Sequence, residues 1–179
     1  MILTRSYETE MEVTGLNLSG LAYRYNQPSM VNDHNGTPSY LEAISQNAAN
    51  KSLKERGRIP VPVGDMHPWV PGHEDLPQEP IGFATFHPGT DGLEFDVRLN
   101  PERADEVVAR VQDGSRREVS LSYIPHKSIP KGAVTLRTEI EVFELSLVDR
   151  AAHRGAEVMA VRSSDTPRLE EMKRLAVLL

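Results

Sequence analysis

Hydrophobic and polar positions alternate most regularly over Arg117–Ile124. Val119, Leu121 and Tyr123 fall on one face and Glu118, Ser120 and Ser122 on the other, the period of a half-buried strand. Val142–Val148 alternates in the same way, with Phe143, Leu145 and Leu147 on one face and Glu144 and Ser146 on the opposite one. Upstream, Glu12–Asn26 also reads as strand, broken at Gly15 and Gly20 where a bulge or a tight bend between two strands is expected. Ile81–Phe86 and Leu93–Leu99 form a hairpin pattern around Pro88-Gly89 and Asp91-Gly92. Two stretches carry helical spacing. Ser39–Arg56 has Tyr40, Leu41, Ile44, Ala48 and Leu53 as a stripe, with Ser39 and Glu42 placed as a capping box. The other opens on Asn100-Pro101, buries Ala104, Val107, Val108 and Val111, and stops at Gly114.

The remaining segments read as connections or short extensions. Residues 1–11 are a polar lead-in, and Asn26–Pro38 and His67–Pro80 are loops rich in Pro, Gly, Asn and Asp. Ile59–Val63 is extended, and its prolines place it at an edge or rim of a sheet. Pro125–Gly132 reads as a turn-rich connection, Ala133–Asp149 as one bent strand or two, and Ala156–Val161 as a last short strand. Arg162–Pro167 looks like a linker, and Arg168–Leu179 carries Leu169, Met172, Leu175, Ala176 and Leu179 at the spacing of an amphipathic helix. The expectation is one domain over residues 1–161, followed by a linker and C-terminal helix over 162–179. Short strands with few helices and no regular βαβ alternation point to an α+β fold, a mainly antiparallel, barrel-like sheet flanked by helices.

Composition narrows the function classes. At 39% hydrophobic and 26% charged over 179 residues the chain reads as a soluble domain large enough for a real core. A net charge of −6 and the absence of a basic stripe argue against a nucleic-acid partner. No apolar run approaches the roughly 18 residues of a membrane span, and the first residues lack a signal-peptide pattern, so a cytoplasmic location is expected. With no cysteine there is no thiolate nucleophile or thiolate metal site.

The candidate chemistry is that of an activated hydroxyl. Serine attacks only when a base removes its proton, usually a neutral imidazole held by a carboxylate. If the Ser120 and Glu144 strands lie together, both side chains leave the same sheet surface, and His67 in Gly64–Pro68 stands at a strand end that can reach them. Solvated serines and a surface glutamate would produce the same pattern. Asp65, His67 and His73 make a rival, metal-binding constellation, although no helical His-x-x-x-His or HExxH accompanies them. Arg116 and Arg117 are candidate oxyanion donors, directly or through ordered backbone amides, with plain surface charges as the alternative, and Ser146 shares the Glu144 face as a candidate support or a solvated side chain. His34, His87, His126 and His153 sit in turns or beside proline and are expected to carry no chemistry.

Taken in order, several segments resemble the prohead (capsid maturation) proteases of tailed phages, a serine-protease family related in fold to the herpesvirus assemblins. They are Gly20-Leu21-Ala22, Tyr40–Ile44, His67, Pro80–Ala84, Asp91–Phe95, Val119–Tyr123, Phe143–Asp149 and Ala151-Ala152-His153, together spanning about residues 12–161. The resemblance implies Ser120 as nucleophile, His67 as general base and Glu144 as the group that orients the histidine, with no cofactor and no metal. It implies an endopeptidase that trims capsid-protein and scaffold segments, and itself, inside the immature shell in the host cytoplasm, working as a homo-oligomer. A catalytically silent assembly module on the same fold is the alternative. Two positions depart from the family: Ser122 stands where a glycine is usual, and Gln46-Asn47-Ala48 replaces a small-residue pair with proline.

Overall fold

The computed structural model describes residues 3–7, 11–31, 33, 38–56, 60–69, 75–116, 118–149 and 161–162. Along these residues run β1 (Leu3–Tyr7), β2 (Met11–Thr14), β3 (Asn17–Arg24), β4 (Ser29–Val31), β5 (Tyr40–Ile44), α1 (Asn50–Arg56), β6 (Val61–Asp65), β7 (Gly82–Pro88), β8 (Gly92–Leu99), α2 (Pro101–Gln112), β9 (Glu118–Lys131), β10 (Val134–Val148) and β11 (Val161–Arg162). The strands form one sheet in the order β1-β9-β10-β6-β7-β8-β3-β2-β11, with β5 also paired to β10 and β4 to β5. The sheet is curled into a half-barrel and the fold is α+β. It is mixed, which corrects the mainly antiparallel expectation: β5 and β6 run parallel to β10, and β11 runs parallel to β2.

The patterned segments fold as their periodicity dictates. The bend at Gly15, with φ of 60°, separates β2 from β3. The β7–β8 hairpin turns over residues 89–91. α2 begins with proline in its first turn and buries Ala104, Val107 and Val111. Asn100 does not cap it through its side chain; that amide instead donates to the Pro80 carbonyl at 2.6 Å, tying the helix to the start of β7. The apolar faces of β3, β7, β8, β9 and β10 close around Leu18, Tyr23, Ala84, Phe95, Val97, Leu121, Tyr123, Val142 and Leu145.

Three of the expected elements differ, each for a tertiary reason. Tyr40–Ile44 is a strand, and only Asn50–Arg56 is helical. The capping-box glutamate is drawn elsewhere: Arg5 donates to Glu42 Oε1 at 2.7 Å, Arg137 to Oε2 at 2.6 Å, and the Tyr123 hydroxyl to Oε1 at 2.5 Å. Arg5 also bonds Asp33 at 2.6 Å, so β1, β5, β9 and β10 are joined by one buried ionic cluster. β6 is interior, between β10 and β7, and not at a rim. Its prolines are tolerated because Pro60 precedes the strand and the ladder to β10 begins only at Val63. β9 continues through Pro125 and Pro130 to Lys131, so the connection to β10 is a two-residue turn at Gly132-Ala133, with Gly132 at φ of 62°. The lead-in and the first loop contain β1 and β4, which the pattern did not show. No helix among the described residues is long and apolar enough to cross a membrane. Of the expected strand over 156–161 only Val161 is described; it pairs with β2 together with Arg162, where the linker was expected to begin, and residues 156–160, 163–167 and the terminal helix over 168–179 lie outside the described residues.

Candidate active site

β9 keeps its alternation, placing Val119, Leu121 and Tyr123 in the core and Ser120 and Ser122 on the opposite face. β10 does not keep its phase. A bulge lies between Val142, which pairs with Tyr123, and Glu144, which pairs with Ser122. Ile140 and Val142 therefore share the core with Leu145 and Leu147, while Phe143 is the extra residue and is 36% exposed. This corrects the expectation that Phe143 lies on the Leu145 face. The bulge re-aims Glu144 onto the surface that carries the serines. Across the ladder Ser120 pairs with Ser146 and Ser122 with Glu144. All four are fully buried, which rules out the solvated-serine reading of the alternation.

The parallel neighbour β6 brings Gly64 beside Ser146. Beyond β6 the chain reverses through two consecutive left-handed residues, Met66 at φ 62° and His67 at φ 61°. Side chains of this size rarely adopt that conformation, at about 1–3 kcal/mol each. β10 holds both: the Met66 N–H donates to the Leu147 carbonyl at 3.0 Å and the His67 N–H to Ser146 Oγ at 3.1 Å. The turn sets the His67 ring on Glu144, with Nδ1 3.3 Å from Oε1. A carboxylate can only accept, so the proton of this pair rides on Nδ1, and Nε2 is the ring nitrogen left to act as base. Ser146 Oγ donates to the same Oε1, and Ser122 Oγ donates to Oε2 at 3.1 Å. Ser120 Oγ has no hydrogen-bond partner among the described residues, so the His67–Ser120 hydrogen bond is not made in this state. Such bonds are commonly long before substrate binds and tighten afterwards.

Gly64 is required by this packing. A Cβ there would stand 2.5 Å from Pro68 Cδ, 2.6 Å from Ser146 Oγ and 2.9 Å from Glu144 Oε1. Gly64→Ala is expected to cost about 1–3 kcal/mol through overpacking, read as a lower denaturation midpoint, because the groups it displaces are themselves bonded. An unchanged midpoint would show that the carboxylate has room the structure does not give it.

Arg116 is committed elsewhere. Its Nε donates to Asp65 Oδ1 at 2.5 Å, and Arg110 Nη1 donates to Asp65 Oδ2 at 3.0 Å, a clasp of the end of β6 by the last turn of α2 and the connection that follows it. Arg117 lies outside the described residues, as do His34, His73 and His153. The same clasp weakens the metal constellation, since both Asp65 oxygens face guanidinium groups and His67 faces Glu144. No group of three or more His, Asp or Glu among the described residues could hold a metal ion. His87 and His126 pair with Glu94 and Glu141 on exposed strand faces.

In fold, the chain is similar to a phage capsid assembly protease. The solved structure of the bacteriophage T4 capsid assembly protease, gp21, matches it with a TM-score of 0.55, covering 83% of this chain and 97% of that one. Sequence identity is 12%, so the likeness is one of fold. No protein-family model matches the chain, and no curated protein matches it.

Sequence reasoning singled out His67, Ser120, Glu144 and Ser146; the fold sets Ser120, Glu144 and Ser146 on one sheet face and bonds His67 to Glu144 and Ser146. It missed the bond from Ser122 to Glu144. The signal was present in the alternation, where Ser122 shares the Ser120 face, but its partner depends on a register that only the bulge defines.

Proposed function

We propose that this chain is a serine-type endopeptidase of phage capsid maturation, with Ser120 as nucleophile, His67 as general base and Glu144 as the acid that orients the imidazole. One observation carries the reading: a fully buried serine hydroxyl without a hydrogen-bond partner among the described residues shares one sheet face with Glu144, the carboxylate that holds the buried His67 ring. Most buried hydroxyls are bonded; an open one on the face that carries a braced imidazole supports a reactive role. The fold likeness to gp21 supports capsid protein and scaffold segments as the substrates. It supports the immature shell in the host cytoplasm as the location. The protease domain spans residues 1–161 in this reading, with 162–179 as a separate linker and helix suited to self-association.

The chemistry follows from the groups present. As Ser120 Oγ bonds to the scissile carbonyl carbon, its proton passes to His67 Nε2 and the carbonyl π pair moves to oxygen. Collapse of that intermediate breaks the C–N bond, and the departing amine takes the proton from Nε2. Water then attacks the ester with the same ring as base, releasing the acid and restoring Ser120. Proton transfer of this kind contributes about 10²–10⁴-fold. Glu144 supplies no proton; it fixes the tautomer and carries the charge opposite the imidazolium.

A fluorophosphonate is expected to add one phosphonyl group to the full chain, on Ser120, mapped by peptide mass spectrometry. Cleavage of co-expressed capsid protein by a chain that takes no label would overturn the serine assignment. A second reading, a silent assembly module, draws on the complete burial of Ser120; it requires neither label nor cleavage.

A further inference from the structure

Among the described residues, three side chains bond the fully buried Glu144 carboxylate. Oε1 takes His67 Nδ1–H and the Ser146 hydroxyl; Oε2 takes the Ser122 hydroxyl. The two serines approach from different strands. Ser146 sits two residues beyond Glu144 on β10, and Ser122 sits directly across on β9. Bonds to Oε1 alone would leave the carboxylate able to turn about its terminal C–C bond, since that torsion is broad and soft. A donor on the second oxygen fixes the plane of the group, and with it the direction from which the ring nitrogen is held.

We propose that Ser122 is a positioning residue for the reaction: its hydroxyl locks the plane of the Glu144 carboxylate against Ser146, and so sets the His67 ring relative to Ser120. This rests on the proposed function and adds a group to it. Ser122 does not touch the reacting atoms. It acts through Glu144, so its contribution vanishes where Glu144 can no longer accept in the same way. The same strand thus presents two serines with separate duties, Ser120 open and Ser122 engaged with the acid.

The test is a double-mutant cycle on the full chain, read as the rate at which Ser120 takes up a fluorophosphonate. Ser122→Ala is expected to slow labelling about tenfold, the scale of a small misplacement in a preorganised site. Ser122→Gly, a second variant that also removes the hydroxyl, is expected to show the same loss. In a Glu144→Gln background, adding Ser122→Ala is expected to change the rate less than twofold, since both act on one element. On a peptide copied from a mapped capsid cleavage site, Ser122→Ala is expected to lower kcat with KM within about twofold. The proposal is overturned if both Ser122 variants label at the wild-type rate, if the loss persists undiminished with Glu144→Gln, or if KM rises while kcat holds. A wild-type chain that takes no label refutes the serine-protease reading itself, and this inference with it; that outcome is recognised without any variant.

Discussion

Ser120→Ala is expected to abolish cleavage of co-expressed capsid protein while leaving the fold and its denaturation midpoint close to wild type. Loss of a serine nucleophile that works as a unit with its base typically costs about 10⁶-fold in kcat, beyond the reach of terminus mapping by mass spectrometry. The fold is expected to tolerate the change because Ser120 Oγ has no hydrogen-bond partner among the described residues, so its removal strands no neighbour. Its β9 neighbours are held by backbone pairing to β1 and β10, which the substitution does not touch. This pairing of a stable fold with lost activity separates Ser120 from Ser122, Glu144 and Ser146 on its face, whose side chains are all bonded. Unchanged cleavage by Ser120→Ala would end the protease mechanism set out above.

The largest stability effect is expected away from the reacting groups, at Glu42. Glu42→Gln is expected to cost about 3–5 kcal/mol, the scale of breaking a buried ion pair by removing one partner. Arg5 and Arg137 both bond this carboxylate and are themselves largely shielded, so the variant leaves two guanidinium groups with a neutral amide. For a domain whose total stability is typically 5–15 kcal/mol, that is a large share. Chemical denaturation measures it directly; a midpoint equal to wild type would mean the cluster is solvated. The pH dependence has a definite sign. Burial alone pushes the Glu42 carboxyl up, but hydrogen bonds from Arg5 and Tyr123 and the charges of Arg5 and Arg137 outweigh it, and the net shift is downward from 4.5. A carboxyl lowered in the folded state contributes stability that is full above its unfolded value. That contribution is lost as pH falls through the folded value. Glu42→Gln is therefore expected to flatten the acid limb of stability below about pH 4.5 relative to wild type.

Local alternation made β8, α2 and the first half of β9 legible, because one face of each meets the core and the other does not. What stayed hidden depends on partners distant in the chain. Glu42 reads as a capping residue until positions 5, 123 and 137 are brought beside it. The prolines of β6 read as edge signals until the ladder to β10 is seen to start after them. Phe143 reads as core because alternation assumes an unbroken phase, and a one-residue bulge leaves no mark in hydrophobicity. For the site, residue type and face were visible at His67, Ser120 and Glu144. The Ser122–Glu144 bond and the Asp65–Arg116 clasp were not, since hydrogen bonds between side chains follow from register and not from spacing.

The displaced phase at Phe143 carries an evolutionary consequence. Side chains on a strand change sides with every residue, so drawing the extra residue into regular pairing would turn Glu144 toward the apolar interior, whereas losing the Phe143 codon would leave Val142 inward and Glu144 on the serine face. Histidine, serine and glutamate would all still be encoded. Lineages carrying this architecture can therefore gain or lose the bulge residue as a one-codon indel while the acid keeps its face, an event that a comparison of substitutions alone would not register.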